Sequence, residues 1–167
     1  MSESRVVPNW DEYFVKMADL VATKSKDRST QVGAVIVGEG HTVLSMGFNG
    51  FPRGVNDSVE DRYVRPQKLM FTEHAERNSV YAAALNGVAL KGATLYLSGG
   101  GLPCCDCGRA IIQAGIKTVI SRDRPFEGKG DWEASMRASE AMFQEAGIQV
   151  IRLDEHYRRI SFTGPVV

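Results

Sequence analysis

The sequence predicts an α/β fold, a sandwich in which helices cover a mixed sheet of about five strands. Three observations carry that expectation. Short β-branched runs alternate with helix-length runs. The first two strand-like runs are separated only by the short stretch Gly38 to His41 and read as a hairpin, whereas the later strands are each reached through a helix, the connection that parallel pairing requires.

Trp10 to Lys24 places Trp10, Phe14, Met17, Leu20 and Val21 at helical spacing and predicts an amphipathic first helix. A polar break, Ser25 to Thr30, follows. Val32 to Val37 and Thr42 to Phe48 then form the hairpin. Asn49-Gly50-Phe51-Pro52-Arg53-Gly54 is dense in turn formers and opens a polar loop reaching about Thr72, with no usable periodicity. Helix formers run from Glu73 to Leu85 and stop at Asn86-Gly87. Ala93 to Leu97 reads as a strand, Ser98 to Leu102 as a loop, and Cys105 to Ala114 as a helix that ends before Gly115. Lys117 to Ser121 is a strand, Trp132 to Ala146 a helix, and Ile148 to Leu153 the last strand.

With 167 residues, 43% of them hydrophobic, the chain is long enough to bury a core without disulfides, and a single domain over residues 1–167 is expected. The 20 basic and 20 acidic side chains cancel, so no global positive field favours a polynucleotide, and a small-molecule substrate is expected rather than nucleic acid. The start, Met1 to Arg5, lacks the basic flank and apolar run of a signal peptide, and no stretch has the apolar length of a membrane span. A cytoplasmic location, away from any membrane, is the expectation. All three cysteines fall within Cys104 to Cys107, which does not suit a disulfide scaffold and points to metal or redox chemistry.

His74-Ala75-Glu76-Arg77-Asn78 and Pro103-Cys104-Cys105-Asp106-Cys107 are the segments that carry chemistry. Cys104 and Cys107 have the spacing that lets two thiolates reach one ion from a helix start, where unpaired N–H groups and the helix dipole favour the anions. Pro103 suits a helix entrance. Residues two apart on a regular helix differ by about 200° of rotation, so His74 and Glu76 share a pocket only if His74 lies at the entrance of its helix, before the backbone is regular. One His and two Cys make three ligands, whereas structural zinc takes four. The fourth position then belongs to water, whose pKa zinc lowers from about 16 toward 7, and Glu76 is the candidate catalytic carboxylate that carries its proton. A redox Cys-x-x-Cys, or a structural zinc completed by His41 or His156, leaves the placement of Glu76 unexplained. Cys105 and Asp106 read as spacers.

His-x-Glu followed by Pro-Cys-x-x-Cys matches the general zinc-deaminase signature. Together with Ser25-Lys26-Asp27, Gln31 to Val37, the stretch Gly47-Phe48-Asn49-Gly50-Phe51-Pro52-Arg53-Gly54, and Ile111 to Lys117, these segments make the chain resemble the deoxycytidylate (dCMP) deaminase family of the cytidine deaminase superfamily, from about Trp10 to Val150. The resemblance implies a three-layer α/β/α fold of cytidine deaminase type, with Zn2+ held between two helix starts, and hydrolysis of dCMP to dUMP and ammonia. It also implies that Asn49 meets the substrate's sugar and the backbone at Ala75 its base; the alternative for Asn49-Gly50 is a tight turn. In many members it goes with hexamers and with regulation by dCTP and dTTP through the loop matching Gly50 to Asp57, so a homo-oligomer, dimer or hexamer, is expected. Lys26, Arg28 and Arg53 are the candidate phosphate donors, or simply solvated loop charges. Phe126 is a candidate for stacking on the base, or for a core or lid role. Departures from the family pattern are Arg28 in a common proline position, Gly99-Gly100-Gly101 in place of bulkier residues, and Ser79 in a common alanine position. The rival functions are deamination of another amine-bearing ring (a free base, nucleoside, pterin-like ring or tRNA adenosine) and a non-catalytic zinc-stabilised binding module.

Overall fold

A computed structural model describes residues 5–123 and 131–163. Helix α1 (Trp10–Ala22) is capped by Asn9, whose side chain accepts the Glu12 N–H at 2.8 Å. It leads to the hairpin of β1 (Gly33–Val37) and β2 (Val43–Phe48). A short helix α2 (Gln67–Phe71) interrupts the long loop that follows, and α3 (Ala75–Leu85) ends at Asn86, with Gly87 beyond it at φ 66°. Then come β3 (Thr94–Gly100), α4 (Cys105–Gln113), β4 (Thr118–Arg122), α5 (Asp131–Ala146), β5 (Gln149–Leu153) and β6 (Arg159–Thr163).

All five expected strands are present, and β6 makes a sixth. The order is β2-β1-β3-β4-β5-β6, with β3, β4 and β5 mutually parallel and the remaining pairs antiparallel. β1 alternates its side chains between two cores. Ala34 and Ile36 join Leu95, Val119, Val150, Ile111 and Phe143 on one face, and Val35 and Val37 join Tyr96, Ile120, Ile151 and α1's Phe14 and Ala18 on the other. The sheet is therefore covered on both faces, which is why β1 is buried at every position and reads as a continuous apolar run.

Three local departures from expectation bear on the site. Ser98, Gly99 and Gly100 extend β3 where a loop was expected, because the pairing with β4 resumes at Gly100–Arg122 after a register shift. The loop between β2 and α3 contains α2 and a 3₁₀ turn at Glu60–Tyr63. β6 is pinned to α1 by Arg159, whose Nε donates to the buried Asp11 carboxylate at 2.6 Å, a tie invisible in local sequence.

Gly47 governs how α3 lies on the sheet. A Cβ there would sit 2.8 Å from the Ala75 carbonyl oxygen and closer still to the Ser79 backbone nitrogen. Gly47→Ala is therefore expected to push α3 off β2 at a cost of about 3 kcal/mol or more, seen as a fall in Tm of roughly 6 °C or more by thermal denaturation.

Candidate active site

The two helix starts named by the motifs converge. His74 is the N-cap of α3 at φ −78°, ψ 153°, and Cys104 the N-cap of α4 at φ −66°, ψ 167°. Each residue therefore stands in extended backbone just ahead of its helix, the condition His74 had to meet to share a pocket with Glu76. The entrance to α3 is held by backbone pairing of Gly50 with Glu73, at 3.0 and 2.8 Å, and by Asn78, which donates to the Phe48 carbonyl at 2.8 Å. Ser135 of α5 accepts the Cys105 N–H at 2.9 Å and steadies the first turn of α4.

His74 Nδ1 lies 3.5 Å from Cys104 Sγ and 3.5 Å from Cys107 Sγ. A tetrahedral zinc with Zn–S of about 2.3 Å and Zn–N of about 2.0 Å holds N and S about 3.5 Å apart, so the donor set fits that ion. Among the described residues it is the one group of His, Cys, Asp or Glu donors close enough to hold a metal, and no fourth side chain joins it. His41 instead stacks on Trp10, and His156 sits in the turn between β5 and β6. Cys105 is half-buried and outside the cluster.

Close contacts couple the ionisation of the three groups. The hydrogen bond from Cys107 brings Cys104 down to about 4, with His74 adding to the effect against the opposing influence of burial. That same bond, and burial, push Cys107 up, and the bond with Cys104 raises His74. A divalent cation displaces those protons on binding. Glu76, second residue of α3, is 9% exposed, and burial raises its carboxyl above the usual range.

A cavity of about 490 Å³ opens on this cluster. Ala75, Glu76 and Asn49 line it. Asn49 is committed to the fold as well: its Oδ1 accepts the Val32 N–H at 2.8 Å and its Nδ2 donates to the Thr30 carbonyl at 2.9 Å. Lys26, Arg28 and Arg53 are not in this wall. Lys26 pairs with Asp57 at 2.6 Å, Arg28 pairs with Glu60 and lies over the Tyr63 ring, and Lys26 and Arg53 line an adjoining cavity of about 310 Å³. Phe126 lies outside the described residues. The cations that do line the metal cavity, Lys68 and Arg65, were missed, as was Trp132. Lys68 and Arg65 come from the loop without periodicity, where no sequence signal marked them.

Lys68 is fixed by the buried Asp27 carboxylate, 2.7 Å away, and donates to Ser29 Oγ at 2.6 Å. Burial works to raise the Asp27 carboxyl, but Lys68 and the N–H groups of Ser29 and Thr30 outweigh it and hold it below the ordinary carboxylate range. A depressed folded pKa contributes stability that is complete above the unfolded value of about 3.9 and is lost as pH falls through the folded value. Asp27→Asn is expected to lower Tm at pH 7 by a few degrees and to flatten the loss of Tm with acid below about pH 4, read by thermal melts across pH.

The model for the cytidine and deoxycytidylate deaminase zinc-binding region matches residues 8–122. The chain belongs to this family. It is thus a zinc-dependent deaminase of the cytidine deaminase superfamily, and the His74, Cys104 and Cys107 cluster is consistent with that family's zinc site. The deaminase is 37% identical over 145 residues to a protein described as "Uncharacterized deaminase in luxG 3'region" from Aliivibrio fischeri, covering 87% of this chain and 94% of the relative. It is 35% identical over 144 residues to the deoxycytidylate deaminase of Homo sapiens, covering 83% of this chain and 76% of the human one. The fold is similar to the crystal structure of dCMP deaminase from the cyanophage S-TIM5 in complex with dCMP and dUMP, with a TM-score of 0.69, 28% identity, and coverage of 89% of this chain and 100% of the phage chain. No helix among the described residues is long and apolar enough to cross a membrane.

Proposed function

We propose that the deaminase hydrolyses dCMP to dUMP and ammonia, with residues 1–167 acting as a single catalytic domain. The observation that carries this reading is the convergence of His74 Nδ1 and the two sulfurs at 3.5 Å in a cavity that also holds Glu76. In this reading His74, Cys104 and Cys107 are the ligands. Zinc held by them would supply Lewis acidity and a water of lowered pKa. Glu76 takes one proton from the attacking water on its carboxylate and gives it to the ring nitrogen as the carbon–oxygen bond forms, then carries the second proton from the new hydroxyl to the amine, so that the ring-carbon bond to nitrogen breaks and ammonia leaves. The Ala75 backbone, at the start of α3, meets the base, and Asn49 the sugar.

Support for a nucleotide rather than a free base comes from the cavity wall. Lys68 is held by a buried carboxylate and Arg65 lies nearby in the chain, so we assign the phosphate to these two in place of Lys26, Arg28 and Arg53. The human relative's name and the phage complex point to the same substrate. A cytoplasmic homo-oligomer, dimer or hexamer, accompanies this reading.

Ammonia release from dCMP, deoxycytidine, cytosine, guanine and adenosine tests it. The expected result is turnover of dCMP with a kcat/KM at least 100-fold above that of deoxycytidine. Release from another member of the panel and none from dCMP overturns the substrate assignment and leaves the deaminase chemistry standing.

A further inference from the structure

We propose that Trp132 contacts the substrate, its indole forming the wall on which the planar aminated ring stacks beside the metal cluster. This rests on the reading of that cavity as a deaminase site.

The position of Trp132 has no explanation in the core. It opens α5, whose Met136, Ser139 and Phe143 are buried against the rest of the protein, yet Trp132 itself is 48% exposed. It lines the cavity that opens on the His74 cluster. The indole centroid is 5.9 Å from that of His74, the rings inclined at 61°, an edge-to-face contact with a residue of the cluster itself.

The composition of the cavity wall singles the residue out. Gly99, Gly100 and Gly101 offer only backbone, and Leu97, Leu102 and Ala75 only aliphatic groups. Among the described lining residues Trp132 and His74 are the two aromatic rings, and His74 Nδ1 faces the sulfurs. A flat heteroaromatic ring leaving water finds its π partner at Trp132.

That wall is fixed rather than adaptable. Three residues along the same helix, Ser135 accepts the Cys105 N–H at 2.9 Å, beside the ligand-candidate Cys104. One turn further, Gly108 allows close approach of α4 to Ser139. The first turn of α5 is therefore referenced to the start of α4, and the indole is preorganised relative to the cluster.

The chain has two tryptophans, so Trp10→Phe leaves Trp132 as the sole indole. In that background, titration of the zinc-loaded protein with dUMP is expected to change the emission saturably. With whichever compound the wild type deaminates, Trp132→Ala is expected to raise KM by roughly 10-fold or more, within the range that loss of base–aromatic stacking produces, with kcat within about 3-fold and zinc per chain unchanged. Trp132→Phe recovers most of the loss. A merely structural role moves Tm and zinc content instead of KM, and so overturns the proposal. So does a wild-type KM in Trp132→Ala, or saturation by dUMP without any change in emission. Should Trp132→Ala fail to fold, Trp132→Leu, which keeps apolar volume without a π face, carries the same comparison. A wild type that deaminates nothing in the panel removes the function reading and this inference with it; an active wild type with an unaltered Trp132→Ala removes this inference alone.

Discussion

Glu76→Gln is expected to keep its zinc and lose deamination by a factor of about 10² to 10⁴ in kcat, the usual worth of a positioned proton carrier. The amide has the carboxylate's shape, so the cavity is undisturbed, but it can neither take a proton from water nor return one to the leaving amine. Metal retention follows from the donor set, since the cluster close enough to hold an ion is His74, Cys104 and Cys107 without Glu76. Stability provides a third reading. A buried carboxylate whose pKa burial has raised is a cost to the fold, so Tm is expected to hold or to rise in the variant. Metal analysis, an ammonia assay and a thermal melt on one preparation check all three, and normal turnover by Glu76→Gln contradicts the proposed proton transfer.

Cys104→Ala has a different signature. It removes one of three donors, so zinc and activity are expected to disappear together. A ligand bound only by the native state, at about 1,000 times its Kd, adds about 4 kcal/mol of stability, and most of that difference is expected to vanish. Chelation of the wild type should bring its Tm close to that of the variant. Cys105→Ala, one residue along but outside the cluster, is expected to keep its metal. Loss of zinc from Cys105→Ala and retention in Cys104→Ala contradicts the ligand assignment.

The parts of this molecule legible in its sequence are those fixed by local chemistry. Ala34, Ile36, Val35 and Val37 alternate between two cores, so β1 was readable as a strand from its β-branched run alone. His74 was readable as a helix-entrance residue because His-x-Glu makes a geometric demand that only an irregular N-cap satisfies, and Cys104 because Pro103 precedes it and a helix start favours thiolates. What escaped is fixed from a distance. Gly99 and Gly100 have no strand propensity of their own and are drawn into β3 by its pairing with β4. β6 depends on β5 as its neighbour and on a 2.6 Å tie from Arg159 to Asp11 across most of the chain. The cavity's cations escaped for the same reason. Lys26, Arg28 and Arg53 stood out beside motifs, whereas Lys68 is brought to the wall by Asp27, 41 residues away. Asn49 was expected at the substrate and does line the cavity, but its bonds to Val32 and Thr30 show that it also builds the wall it stands in.

X-ray absorption at the zinc edge of the purified, zinc-loaded deaminase tests the central claim most directly. The account predicts one zinc per chain with two sulfur neighbours at about 2.3 Å and two nitrogen or oxygen neighbours at about 2.0 Å, one of them exchangeable solvent. Three or four sulfurs, or a full shell of protein ligands that excludes solvent, contradicts it.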